Sequence, residues 1–150
     1  MNTDARSAGF PELMREPGTH KRMSREARRI SSQHRKLDTL YGLVVDALGH
    51  GRLPEGRSAF QRFHDALEAH FSLEDELYFP ALHGLRSDLG DELARLSGEH
   101  EALRRALDEV ENAFRGAHLG DCERLLDHVA TAIADHEEQE EQLLRHFQPG

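Results

Sequence analysis

Four stretches of this chain repeat apolar residues at alternating steps of three and four, and in each stretch one position of the series is histidine. The first runs Met23, Ala27, Ile30, His34, Leu37, Tyr41, Val44, Leu48, and the second Phe60, Phe63, Leu67, His70, Glu74, Leu77, Ala81. The third is Leu89, Leu93, Leu96, His100, Leu103, Leu107, Val110, Phe114, and the fourth Cys122, Leu125, Val129, Ala132, His136, Glu140, Leu143, Phe147. That spacing predicts four amphipathic helices. Nothing alternates as a strand does. Short connections marked by Gly49 to Gly56, Pro80 and Gly84, and Gly116 and Gly120 make each helix antiparallel to the one before. The expected fold is therefore all-α, an up-down-up-down antiparallel four-helix bundle over residues 23–150. Residues 1–22, with Gly9, Pro11, Pro17 and Gly18, are expected to form an irregular N-terminal arm.

The histidines fall at one level. His34 lies 14 residues before Leu48 and His70 lies 13 after Arg57, so both stand ~20 Å from the turn between them. The third and fourth helices repeat the arrangement, with 15 residues from His100 to Arg115 and 15 from Asp121 to His136. The chain is also written twice. His34 to His70 and His100 to His136 are both 36 residues, and an offset of 66 carries His34, His70, Glu74 and Leu77 onto His100, His136, Glu140 and Leu143. A pseudo-two-fold axis should pass through the histidine layer.

A buried polar group without a partner costs ~1–3 kcal/mol, and an ionised carboxylate costs more, so something must satisfy this layer. In each HxxxE pair the imidazole and carboxylate share one helix face and converge on the bundle axis. Four nitrogen donors and two carboxylates exceed what one metal ordinarily uses. Two first-row metals, each with two histidines and bridged by both carboxylates, would use all six and leave positions for solvent or a small ligand. The nitrogen and oxygen set suits iron best, manganese or zinc less well, and copper(I) poorly. A lone histidine on an apolar stripe is ordinarily a hydrogen-bonded core residue; four at one level with two glutamates in phase reverse that reading.

Composition removes the main competitors. One cysteine in 150 residues cannot form an internal disulfide or a thiolate cage, and no apolar run reaches the ~20 residues of a membrane span. Asp4, Glu12 and Glu16 stand where a signal peptide needs apolar residues, so the expected location is cytoplasmic, with no membrane partner. Residues 1–36 carry a net +5 and residues 37–150 a net −14. The basic set Lys21, Arg22, Arg25, Arg28, Arg29, Arg35 and Lys36 reads as a solvated helix face that pairs with acidic neighbours, because the rest of the molecule would repel phosphate. No nucleic-acid partner is expected, and a protein partner is left open.

The series His34, then His70-Phe71-Ser72-Leu73-Glu74, then His100, then His136-Glu137-Glu138-Gln139-Glu140 resembles the hemerythrin-like, or HHE cation-binding, family of di-iron helical bundles. The segment Glu74 to Leu82, with its Phe79-Pro80, is similar to the acidic stretch that comes after the family's second motif. The resemblance covers about residues 23 to 147. It implies two iron ions with an oxo or hydroxo bridge, His34 and His70 on one, His100 and His136 on the other, and Glu74 and Glu140 bridging. The implied function is a non-heme protein that binds or reacts with oxygen, nitric oxide or peroxide. The alternatives are an iron-dependent stress-response oxidoreductase, an iron-sulfur repair protein, or a metal-responsive signalling module.

The chain departs from the oxygen carriers of the family in two places. A further histidine usually stands four residues after the third-helix ligand, where this chain has Arg104, and the fourth-helix carboxylate is an aspartate five residues after its histidine, where this chain has Glu141. The 66-residue repeat favours Glu140 over Glu141. Without a fifth histidine the two irons would be coordinated more evenly, which favours reaction over reversible oxygen storage.

Other residues receive plainer readings. His20, His50, His64, His83, His118, His128 and His146 fall in loops or off the stripes, with His64 the best accessory candidate. Asp38, four residues after His34, is read as solvated in preference to accepting an imidazole N–H. Tyr41 and Tyr78 are read as core aromatics, Cys122 as packing, and Arg104 as pointing outward.

Overall fold

The computed structural model describes residues 17–147; the expected arm over residues 1–16 lies outside the described residues. Helix α1 spans Pro17–Gly49, so residues 17–22, expected as arm, are helical. Helix α2 spans Leu53–Leu73 and passes through a π-helical turn, Glu74–Tyr78, into α3, Phe79–Leu85. A 3₁₀ turn at Ser87–Leu89 leads to α4, Gly90–Arg115, and α5 spans Leu119–Leu144 before a last 3₁₀ turn, Arg145–Phe147. Four long helical rods and no strand are present among the described residues. None of the helices is long and apolar enough to cross a membrane.

The connections are shorter than the sequence leads one to expect, because α2 and α5 begin early. Pro54 sits in the first turn of α2, where its missing N–H costs nothing, and Gly51 at φ +69° closes the preceding turn. The rods approach closely beyond this turn. A Cβ added to Gly56 would stand 2.8 Å from Leu48 Cδ2, so a larger residue there would have to displace the Leu48 side chain. Helix α5 starts at Leu119, with Asp121 inside its first turn.

The core has two apolar clusters with a polar layer between them. Leu37, Val44, Phe60, Leu67, Leu107, Val110, Phe114 and Val129 belong to one, and Ile30, Tyr78, Leu82, Leu93, Leu96 and Leu143 to the other. His34, His70, Glu74, His100, His136 and Glu140 are the buried polar residues, and along each rod they fall between the two clusters. The stripes of α1 and α4 are buried as expected wherever they are described, except that Tyr41 is half-buried. On α5 the core face holds Leu126 and Ile133, one position beyond the expected Leu125 and Ala132.

The second stripe slips for a stronger reason. Pro80 has no N–H to give the carbonyl four residues back, so a regular helix cannot run through it. The chain inserts a π turn instead, closed by Phe79 N–H on Glu74 O. The extra residue in that turn rotates the helix beyond it, so that Tyr78, Leu82 and Leu85 face the core while Leu77 is 55% exposed and Ala81 faces out. Leu143, the repeat partner of Leu77, is buried on an uninterrupted helix. The expected assignment of Leu77 and Ala81 to the core is thus corrected.

This register makes a test. Tyr78→Ala should cost ~3–5 kcal/mol, as for other buried aromatics, whereas Leu77→Ala should cost under ~0.5 kcal/mol. Urea unfolding of the two variants decides it, and the reverse order would restore the unshifted stripe.

Candidate metal centre

All six predicted residues meet in the polar layer. Their donor atoms form two overlapping groups, His34, His70, Glu74 and Glu140, and Glu74, His100, His136 and Glu140, each with donor atoms within 4.8 Å of one another. Both groups contain both carboxylates. Glu74 and Glu140 are fully buried, and so is His100.

Each glutamate reaches across the layer. Glu74 Oε2 lies 3.2 Å from His70 Nε2 on its own rod and Oε1 lies 3.0 Å from His100 Nε2 on α4. Glu140 Oε2 lies 3.3 Å from His136 Nε2, and Oε1 lies 2.6 Å from His34 Nε2 and 3.7 Å from His70 Nε2. Only the His34 contact has hydrogen-bond geometry. Nε2 of His70, His100 and His136, both oxygens of Glu74 and Oε2 of Glu140 are buried without a hydrogen-bond partner. Such orphans are costly unless their lone pairs converge on a cation. Two ligands ~2.1 Å from one ion and about at right angles stand ~3.0 Å apart, the spacing found here. The donor set therefore fits metal ions.

The far side of every imidazole is held as well. Nδ1–H of His34 donates to Glu141 at 2.8 Å, of His70 to Gln33 Oε1 at 2.6 Å, of His100 to Asp75 at 2.9 Å, and of His136 to Glu99 at 2.7 Å. Each bond fixes a ring and leaves the Nε2 lone pair facing inward. The four bonds form a closed circuit, with α1 holding α2, the π turn holding α4, α4 holding α5, and α5 holding α1. Ser31 and Ser97 extend it, donating to Glu141 at 2.8 Å and to Asp75 at 2.5 Å.

These partners carry no mark in the stripes, because carboxylates beside a core position look like solvated surface. The repeat does mark them. An offset of 66 carries Gln33 onto Glu99, Asp75 onto Glu141 and Ser31 onto Ser97, and each holding residue is the chain neighbour of a core donor. The imidazole N–H of His34 goes to Glu141 and not to Asp38. The expectation for Arg104 is corrected: it does not point freely outward, since its guanidinium binds Glu68 at 3.0 Å and Glu101 at 2.8 Å and lies 5.5 Å from the Phe71 ring centre.

Of the remaining histidines, His50, His83, His118, His128 and His146 are exposed, and half-buried His64 packs tilted against Phe60 away from the centre. The side chain of His20 lies outside the described residues. Tyr78 packs in the core and Tyr41 against Phe63, and burial pushes the Cys122 thiol up, which fits a packing role.

Burial sets the charge state, and the neighbours then divide it. Burial and the facing Glu140 hold Glu74 well above the ordinary carboxyl range. Burial would raise Glu140 too, but contacts from His136, His34, His70 and Glu74 outweigh it and hold Glu140 well below that range. Burial lowers His34 and His136, yet Glu140 turns both shifts upward. His100, lowered by burial, stays neutral. Glu137, which no stripe singles out, is pushed up to about 7 by burial, and its Oε2 has no hydrogen-bond partner.

A family model for the hemerythrin HHE cation-binding domain matches residues 11–145. The chain belongs to that family. Comparison with curated proteins and with solved structures gives no match. Membership carries metal binding with it, and the convergent histidines and glutamates are compatible with that function.

The protonation pattern makes a prediction for the metal-stripped protein. Glu74 and Glu137 titrate above their unfolded value of 4.5, so their contribution is complete below that pH and is lost as pH rises, for Glu137 through about 7. His34 and His136 are raised above 6.5 and lose their contribution on the alkaline side, the depressed Glu140 contributes throughout the neutral range, and the lowered His100 works the other way, gaining as pH rises to 6.5 against the four raised groups. Thermal midpoints of stripped protein should fall from pH 5 to pH 8, and Glu137→Gln should flatten the fall. A midpoint that rises over this range would contradict the assignment.

Proposed function

We propose that this is a non-heme di-iron hemerythrin-like protein, folded as an up-down-up-down antiparallel four-helix bundle and working in the cytoplasm. The observation that carries this reading is the pair of four-residue donor groups that share both carboxylates. Two metals that both drew on Glu74 and Glu140 would satisfy the unpartnered histidine and glutamate donors of the layer at once, which one metal would not. His34 and His70 would hold one iron, and His100 and His136 the other. Four neutral nitrogens and two carboxylates make a mixed, moderately hard donor set that suits iron, and four cationic charges would keep both buried glutamates ionised. Bound iron would supply open coordination positions and one-electron chemistry toward oxygen, nitric oxide or peroxide.

The protein's own contribution is to orient and to exclude. Glu141, Gln33, Asp75 and Glu99 fix the four rings, Phe71 stacks on His100 at 4.2 Å between ring centres, and Phe79 lies 5.9 Å from the same ring. Reaction is favoured over reversible oxygen carriage, because the position of a fifth histidine is filled by Arg104, bound to Glu68 and Glu101.

Elemental analysis after anaerobic reconstitution should give about two irons per chain. His136→Ala should lose at least one and His118→Ala none. A stable ratio of one, a firm preference for a single zinc, or equal loss in both variants would overturn the reading. Metal removal should also lower the thermal midpoint markedly, since binding and folding draw on the same buried donors. Equal midpoints would place these groups in solvent.

A further inference from the structure

The 66-residue repeat relates the two halves of the centre, and it fails on one side of the layer. The residue after His70 is Phe71, and the residue after His136 is Glu137. Phe71 covers the opposite half, stacked on His100 and 6.2 Å from the His136 ring. Arg104 lies over Phe71 and is anchored to Glu68. At the related positions, Asp38 replaces Arg104 and Ala134 replaces Glu68, so the arginine–glutamate pair has no counterpart on that side. Tyr41 likewise replaces the fully buried Leu107.

A cavity of about 240 Å³ occupies the unclosed side, lined by Asp38, Tyr41, Phe63, Ile133 and Glu137 among others. Glu137 connects it to the centre. This carboxylate interacts electrostatically with His34 and His70, and its Oε2 is buried without a hydrogen-bond partner. The groove on the other half, about 180 Å³, also carries carboxylates, Glu99 and Asp135, but it ends on the His136 ring, whose Nδ1 is already held by Glu99. The halves differ in ring support as well. His100 and His136 both donate to carboxylates, while His70 donates to the neutral amide of Gln33, which makes it the poorer electron donor.

We infer that the two metal positions exchange at different rates: the metal at His34 and His70 enters and leaves through the Asp38–Glu137 cavity, and the metal at His100 and His136 is sealed in by Phe71 and Arg104. Both halves present carboxylates to an incoming divalent cation, Asp38 and Glu137 on one and Glu99 and Asp135 on the other, so the difference lies in the cover. Phe71 and the anchored Arg104 close one half, and among the described residues nothing equivalent closes the other. This inference rests on the two-metal reading and adds an order of loading and release to it. One half would be the resident site, and the other a position from which metal can be given up.

The test uses the full chain loaded anaerobically with ferrous iron and challenged with excess ferrous chelator. Release should be biphasic, one equivalent fast and one at least tenfold slower. Crystals of the half-depleted protein should show anomalous density beside His100 and His136. Ala130→Trp, which narrows the cavity, should slow the fast phase at least tenfold; Arg104→Ala and Phe71→Ala should speed the slow phase by a similar factor. Arg104 is only partly buried, so its variant keeps the sealed side testable should Phe71→Ala fail to fold. Two equivalents lost in one phase, or residual metal beside His34 and His70, would overturn the inference and leave the two-metal reading standing. Fewer than two metals bound before the challenge would overturn both.

Discussion

Two carboxylates face each other in the dry middle of this protein, and the rest of the fold is arranged around that fact. Glu74 and Glu140 are fully buried; burial and the facing carboxylate hold Glu74 well above the normal carboxyl range, while contacts from His136, His34 and His70 hold Glu140 well below it. An apolar core gains nothing from such a pair. It is tolerable only where positive charge arrives, and the four imidazoles turned toward it mark where that charge belongs. The apolar clusters above and below the layer then have two effects, supplying the burial that holds the helices together and the low polarity that strengthens every interaction between them.

Much of this is legible in the sequence because its signals are periodic. Helical stripes, their interruption by histidine at equal distances from the turns, and the repeated HxxxE are all spacing statements, and the six donors meet as spacing predicts. The failures have physical causes. On α5 steps of three then four and of four then three pass through the same Cys122, Val129 and His136, so spacing alone does not choose Leu126 and Ile133 over Leu125 and Ala132. Pro80 imposes a π turn that no stripe anticipates, and it costs Leu77 its place in the core. Gln33, Asp75, Glu99 and Glu141 are hidden for another reason: a polar residue next to a buried one carries no periodic signature, and only comparison of the two halves marks it.

The circuit of hydrogen bonds around the layer says how tightly the helices depend on one another. Each helical rod holds a ring on the next, and the last holds a ring on the first. No single helix can shift without turning an imbalance at one histidine into a misplaced donor at another. The serines that brace Asp75 and Glu141 sit on the same one-turn spacing before His34 and His100, so the bracing belongs to the repeat and not to one local accident.

A two-fold motif of this kind does not in itself require one chain. Two copies of a single helical hairpin, each bearing one HxxxE and one further histidine, would generate the same six donors and the same circuit across a true symmetry axis. In such a pair every change would appear twice. Joining the hairpins through the short 3₁₀ segment at Ser87–Leu89 removes that restriction. Phe71 and Glu137, Gln33 and Glu99, and Arg104 and Asp38 are differences that only a covalently joined pair can hold, and they let a centre built on symmetry present two unlike faces.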